Sequence, residues 1–187
     1  MSKIIYAAVR REWGELTATS FTLFLLDMFR FNIRVYGVLI NDKKEVLVSD
    51  EFIRGNYYTK FPGGGLEYGE GTRDCLAREF MEEMNLKVEV KEHLYTTDFF
   101  QVSAFHPDHQ IISIYYYVKA LEPIKVRLST TPFDFDTDQM KVYDQVNETE
   151  SFRLINWNDL SVDSVTLPID KVVVSIIKNL SALGMKI

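Results

Sequence analysis

Between Phe29 and Ile40 the chain sets apolar Phe31, Ile33 and Val35 against polar Arg30, Asn32 and Arg34, then becomes almost continuously apolar. A period of two that ends in an apolar run predicts a strand entering a core. Asn41-Asp42-Lys43-Lys44 has turn composition and Glu45 to Val48 reads as a returning strand, so the pair is expected to form a hairpin. Lys87 to Val102 reads as strand with a break near Thr96-Thr97. Ile111 to Val118 is an aromatic-rich strand and Ser151 to Ile155 a late one. Two segments repeat at helical spacing instead. One places Leu76 and Phe80 with Ala77, Met81 and Met84 on a face; the other, opened by Pro168, carries Ile169, Val172, Val173, Ile176, Ile177 and Leu180. Each stripe is expected to cover a sheet. The order of elements predicts an α+β domain, a mixed sheet with helices on its faces.

Three stretches stand outside this pattern. Residues 1–28 form an N-terminal extension: Ile4, Ile5, Ala8, Val9 and Trp13 fit one face of a short helix, and Thr17 to Leu26 is β-prone. Either the extension packs on the 29–187 domain or on a second subunit as a homodimer, or it lies upstream of a true start at Met28. Phe105-His106-Pro107-Asp108-His109 is expected to be a polar hairpin loop; its histidines lack the regular spacing of a metal site. Lys125 to Asn147 contains Pro132 to Asp138, an acidic and aromatic run that reads as a variable loop, either shaping substrate choice or, as such loops more often are, merely surface.

Composition narrows the class. A chain of 187 residues with 47% hydrophobic content suits one ordinary domain with a sizeable core. A net charge of -6 argues against a broad basic surface for nucleic acid, so no stable nucleic-acid partner is expected. Cys75 is the only cysteine, which fits a reducing compartment and a small buried packing role. Phe21 to Leu26 is too short to span a bilayer of ~30 Å, and no signal-cleavage pattern follows it. The expected location is the cytoplasm, without membrane attachment.

The densest chemistry lies in GGGLEYGEGTRDCLAREFMEEMNL, Gly63 to Leu86. At ~100° per residue, Glu79, Glu82 and Glu83 fall within an arc of about 100°, so three carboxylates leave one face of a helix. Side by side they repel, and a hard divalent cation with oxygen ligands, Mg2+ or Mn2+, relieves that repulsion. Taken alone, paired glutamates are more often a solvated helix face. Arg78 beside the acids and Glu70 in the preceding loop are suited to pair and orient the ligands. Thr72 is a candidate N-cap with Asp74 in the first turn, and Asn85 stands where the last turn requires a left-handed residue. Gly63 to Gly65 allow backbone to approach a phosphate or metal. Upstream, Arg54 and Lys60 are candidates for phosphate and Tyr58 for stacking a base; solvated cations and a packing tyrosine are the competing reading.

From Gly64 the spacing is Gly, five residues, Glu70, seven residues, then Arg78-Glu79-Phe80-Met81-Glu82-Glu83-Met84-Asn85-Leu86, preceded by Phe61-Pro62-Gly63. This resembles the Nudix hydrolase box, with Asn85 in place of its last glycine. The resemblance implies an α/β/α sandwich and hydrolysis of a nucleoside diphosphate linked to another moiety, in a metal-binding, nucleotide-binding pyrophosphatase. It implies a cation held by Glu79, Glu82 and Glu83 with the Gly63 carbonyl, and phosphate near Gly64. Glu82, or the late loop acids Glu148 and Glu150, are the options for a general base or an extra ligand. Family markers for ADP-ribose, diadenosine polyphosphate and coenzyme A enzymes are absent; Gln101 and Val102 stand where the first would place a proline. Nucleotide sugars and nucleoside triphosphates stay open, with capped RNA disfavoured by the acidity. A second class, a catalytically inactive nucleotide-sensing module of the same fold, usually loses box carboxylates, and all are present here. An isomerase of this fold would need further catalytic residues.

Overall fold

The computed structural model describes residues 30–104 and 106–184. The expected N-terminal helix and β-prone run within 1–28, and Phe105 of the histidine loop, lie outside the described residues. The elements are β1 (Arg30–Leu39), β2 (Glu45–Ile53), β3 (Asn56–Lys60), β4 (Gly63–Gly65), α1 (Thr72–Met84), β5 (Val88–Thr96) and β6 (His109–Ala120). They continue with β7 (Leu128–Ser129), α2 (Thr137–Val146), β8 (Glu148–Asn156), a 3-10 turn at Val162–Ser164 and α3 (Pro168–Ala182).

Two four-stranded sheets run in the orders β4-β1-β6-β5 and β3-β2-β8-β7. The expected β1–β2 hairpin is therefore not a ladder, since the two strands sit in different sheets and share only the bridge between Ile40 and Val46. The reason is that both edges of β1 are taken. β4 pairs with one through Tyr36–Gly63, Val35–Gly64 and Arg34–Gly65, and β6 lies along the other. Across the second sheet, β2 opposes β8 over its whole length, from Glu45–Asn156 to Ile53–Glu148, while β7 joins β8 in parallel.

Adjacent residues of β6 show the layering. Tyr116 packs in a core with Leu76, Phe80 and Met84 of α1, whereas the Tyr115 hydroxyl donates to Asp170 Oδ1 of α3 at 2.7 Å. Because neighbours on a strand face opposite ways, the helices lie on opposite sides of the strand layer, the α/β/α arrangement of the α+β class. Both sheets contribute to the α1 core, with Val35 and Val118 from one and Leu47 and Phe152 from the other. Each fully buried Leu, Phe or Met there contributes roughly 1.5–3 kcal/mol.

Helix ends follow local chemistry with one change. Gly71, extended at φ -82 and ψ 159, is the N-cap of α1, so Thr72 is its first helical residue and its hydroxyl bonds with Tyr116 instead, at 2.8 Å. Asp74 does lie in the first turn, where Oδ2 accepts from Gly71 N–H at 3.3 Å. Asn85 takes the left-handed conformation, φ 48 and ψ 43, and its N–H closes on the Met81 carbonyl. The acidic run read as a loop, Pro132 to Asp138, leads into α2, which starts at Thr137. Asp136 caps it, accepting from Asp138 and Gln139 N–H, and the Gln139 side chain accepts from Asp136 N–H in return. This reciprocal cap satisfies the helix end that acidic and aromatic composition concealed.

The chain divides into two compact units, Met1–Asn32 with Phe100–Ile111, and Ile33–Phe99 with Ile112–Ile187. In the first, a tight return joins Val102 to Gln110, and His109 N–H donates to the His106 carbonyl at 3.0 Å. All site residues discussed below belong to the second. No described helix is long and apolar enough to cross a membrane.

Candidate active site

Strand β4 and helix α1 carry the site, and two glycines set their distance. Gly63 has φ +130, and a Cβ there would lie 2.2 Å from the Val35 carbonyl oxygen, so only glycine fits against β1. At Gly64 a Cβ would lie 2.4 Å from the Glu79 carboxylate. The helix acid thus rests directly on the glycine strand.

Arg78 organises the helix face. Its Nε and Nη2 donate to the two Glu70 oxygens at 3.0 and 2.8 Å, its Nη1 donates to Glu79 at 2.9 Å and Glu82 at 3.0 Å, and Nη2 also reaches the Gly65 carbonyl at 3.1 Å. Loop, strand and helix are tied through one planar fork. Hydrogen bonds from Arg78 hold the Glu70 carboxyl down at about 2, so it stays ionised. Glu82 remains largely exposed beyond the fork, at 60% of its side chain.

Glu83 has no such support. Its Oε2 is buried without a hydrogen-bond partner, and burial raises its proton affinity, with Glu150, Glu51 and Glu79 adding repulsion and Lys60 opposing the rise. Glu150 behaves alike: burial raises its carboxyl, Lys60 opposes this, and Glu51 adds to it. Ser49 Oγ donates to Glu150 Oε2 at 3.2 Å. Glu83 and Glu150 line one cleft of about 570 Å³ with Glu51, Glu148, Asp136 and Gln139. Glu148 and Glu150 lie within β8 and not in a loop before it, which is why the strand register decides where they point. Glu150 stands opposite Glu51, while the Glu148 side chain is half exposed and lies 4.0 Å from Arg54.

The upstream candidates separate. Lys60 is buried, donating to the Gly63 carbonyl at 2.8 Å and pairing with Glu51 at 2.9 Å. Its ammonium stays charged despite burial because Glu51, Glu83 and Tyr36 outweigh the desolvation. Tyr58 opposes Glu51 across β2–β3, on the same strand face as Lys60. Arg54 is exposed at the end of β2, with φ 47.

These donors fit a hard divalent cation in kind: oxygen ligands, an orphaned buried carboxylate oxygen, and acids short of positive charge. Among the described residues no three acidic, histidine or cysteine side chains already converge on one point. Arg78 holds Glu79 and Glu82, and Lys60 holds the Gly63 carbonyl. Sequence reasoning missed Glu51, Ser49 and α2. Alternation along β2 signals that Ser49 and Glu51 share a face, and the Asp136-x-x-Gln139 spacing signals the helix cap.

A family model described as NUDIX domain matches residues 30–165. Among solved structures, the fold is similar to a MutT protein from Methanosarcina mazei Go1, with TM-score 0.57 and 15% identity over 84% of this chain and 98% of that one. It is also similar to a NUDIX hydrolase from Nitrosomonas europaea, with TM-score 0.56 and 17% identity over 83% of this chain and 74% of that one. An ADP-ribose pyrophosphatase from Streptococcus suis gives TM-score 0.51 and 14% identity, over 83% and 92%. At these identities the structural likeness shows the fold.

Proposed function

The chain belongs to the Nudix family, hydrolases acting on phosphorus anhydrides, and from that membership we propose a divalent-metal-dependent pyrophosphohydrolase of nucleoside diphosphates joined to a second moiety. The observation that carries this reading is the buried, unpartnered Glu83 Oε2 beside Glu150 in the cleft, two carboxylates whose burial and repulsion the single ammonium of Lys60 only partly offsets. Glu79, Glu82 and Glu83 would hold Mg2+ or Mn2+. When bound, the ion supplies charge neutralisation at phosphate oxygens and a lowered pKa for the attacking water. Arg78, fixed by Glu70, orients Glu79 and Glu82 as a positioning residue. Glu150, with raised proton affinity and held by Ser49, is suited to accept the proton from water near neutral pH. Gly64 leaves room for the Glu79 carboxylate against β4, which brings that acid to the backbone where a phosphate would lie, and Tyr58 faces the side of β3 that Lys60 shares.

Nucleotide sugars, ADP-ribose and nucleoside triphosphates form the substrate panel, the second because a fold neighbour is named for it. The test is a product-resolved hydrolysis screen of that panel with Mg2+ or Mn2+, using Glu82→Gln and Glu83→Gln as controls. Release of nucleoside monophosphate is expected from the native chain, with a loss of about 100-fold or more in each variant, the scale of a lost catalytic group. Unchanged turnover in the variants refutes the site assignment. Tight nucleotide binding without turnover would point to a sensing module.

A further inference from the structure

We propose that Lys60 is a resident cation of the site, its ammonium standing on the Gly63 carbonyl where the fold would otherwise offer an oxygen ligand to a divalent ion, so that this chain binds less metal than its carboxylates alone would take. The inference rests on the metal-dependent reading above and concerns how that site is charged.

The geometry uses every face of the ammonium. Lys60 Nζ donates to the Gly63 carbonyl at 2.8 Å, pairs with Glu51 at 2.9 Å, and lies 5.3 Å from the centre of the Tyr36 ring. Its side chain is 4% exposed, so solvent screens these interactions little. An ordinary buried ion pair would need only Glu51. Here the same nitrogen also closes a backbone carbonyl that the left-handed Gly63 turns toward it, and its field acts on Glu83 and Glu150. Glu51 faces Glu150 across the β2–β8 ladder, so the carboxylate that holds Lys60 borders the cleft the other acids line.

Two charges of like sign compete for one set of oxygens. A divalent ion that takes the Gly63 carbonyl must displace the ammonium, and one held by Glu79, Glu82 and Glu83 alone is repelled by it. Removing the positive charge frees both the carbonyl and Glu51 for metal.

Mn2+ uptake tests this without turnover. EDTA-stripped, desalted native protein and Lys60→Met are titrated with Mn2+ at pH 7.5, and free Mn2+ is read from its solution EPR signal. The variant is expected to bind at least one more ion per chain, or the first ion at least tenfold more tightly. Lys60→Arg, which keeps the charge, should titrate like the native protein. Lys60→Met with Glu51→Gln removes the ammonium without leaving its partner buried and unpaired. It keeps the native net charge and frees only the Gly63 carbonyl, so it should gain less metal than the single variant but more than the native protein, and it serves where the single variant does not fold. Equal or weaker binding in the neutral variants overturns the Lys60 assignment while leaving the metal reading in place. No uptake by any of the proteins overturns the metal-dependent function and the inference with it.

Discussion

Asp170→Asn asks how strongly burial holds a proton on this fold. Asp170 is fully buried at the start of α3, where Oδ1 accepts from the Tyr115 hydroxyl and Oδ2 has no partner. Desolvation is the largest influence and raises its carboxyl from 3.8 to about 7; the Tyr115 hydrogen bond and Lys60 pull the other way. In the unfolded chain the group ionises near its ordinary value. The folded form therefore binds more protons between the two values, and stability falls as pH rises through that window and levels above it. From pH 5 to pH 8, linkage over these two values gives a loss of roughly 2–3 kcal/mol from this residue. Asn keeps an acceptor for Tyr115 and exchanges one unpartnered polar group for another, so its cost shifts the whole curve without tilting it. Urea denaturation in EDTA at half-unit pH steps should show the native protein losing roughly 2–3 kcal/mol more than Asp170→Asn across this range. Parallel curves would mean that Asp170 is ionised at neutral pH in the folded protein and would refute the argument.

Two other substitutions separate site geometry from fold. Gly64→Ala places a methyl where the Glu79 carboxylate now lies, 2.4 Å from its atoms, and the side chain has to leave Arg78. We expect kcat/KM to fall about 10–100-fold, as for a displaced ligand. The thermal midpoint should change little, and intact turnover would show that Glu79 does not need this position. Asn85→Ala puts a Cβ-bearing residue without a local hydrogen-bonding side chain at φ 48, which should cost about 1 kcal/mol in chemical denaturation. Turnover should be unchanged, because the residue ends the helix and touches none of the acids; a drop in kcat larger than twofold would refute that division.

What was legible in sequence was local. The spacing of Glu79, Glu82 and Glu83 on one turn of helix, the Glu70–Arg78 pair and the left-handed Asn85 depend on residues within a few positions, and the structure shows each in that arrangement; of the α3 stripe, Ile169, Val173 and Ile177 are buried, while Val172, Ile176 and Leu180 are half-buried and Asp170 and Val174 complete the buried face. α2 was equally local and was hidden because its capping residues sit in an acidic, aromatic run. Partner choice between strands was not legible. β1 looked like half of a hairpin, yet Gly63–Gly65 and β6 hold its edges, and hydrogen-bond partners across a sheet leave no mark in a strand's own pattern.

The sequence by itself determined the family, the acidic helix face and the type of chemistry, since these follow from short-range spacing and charge. Tertiary structure alone decided that Lys60 turns inward onto the Gly63 carbonyl, and that β2–β8 register brings Glu51 and Glu150 to the cleft of Glu83. A one-residue slip in that register would send those side chains to the other face, so their place in the site is a property of pairing between distant strands.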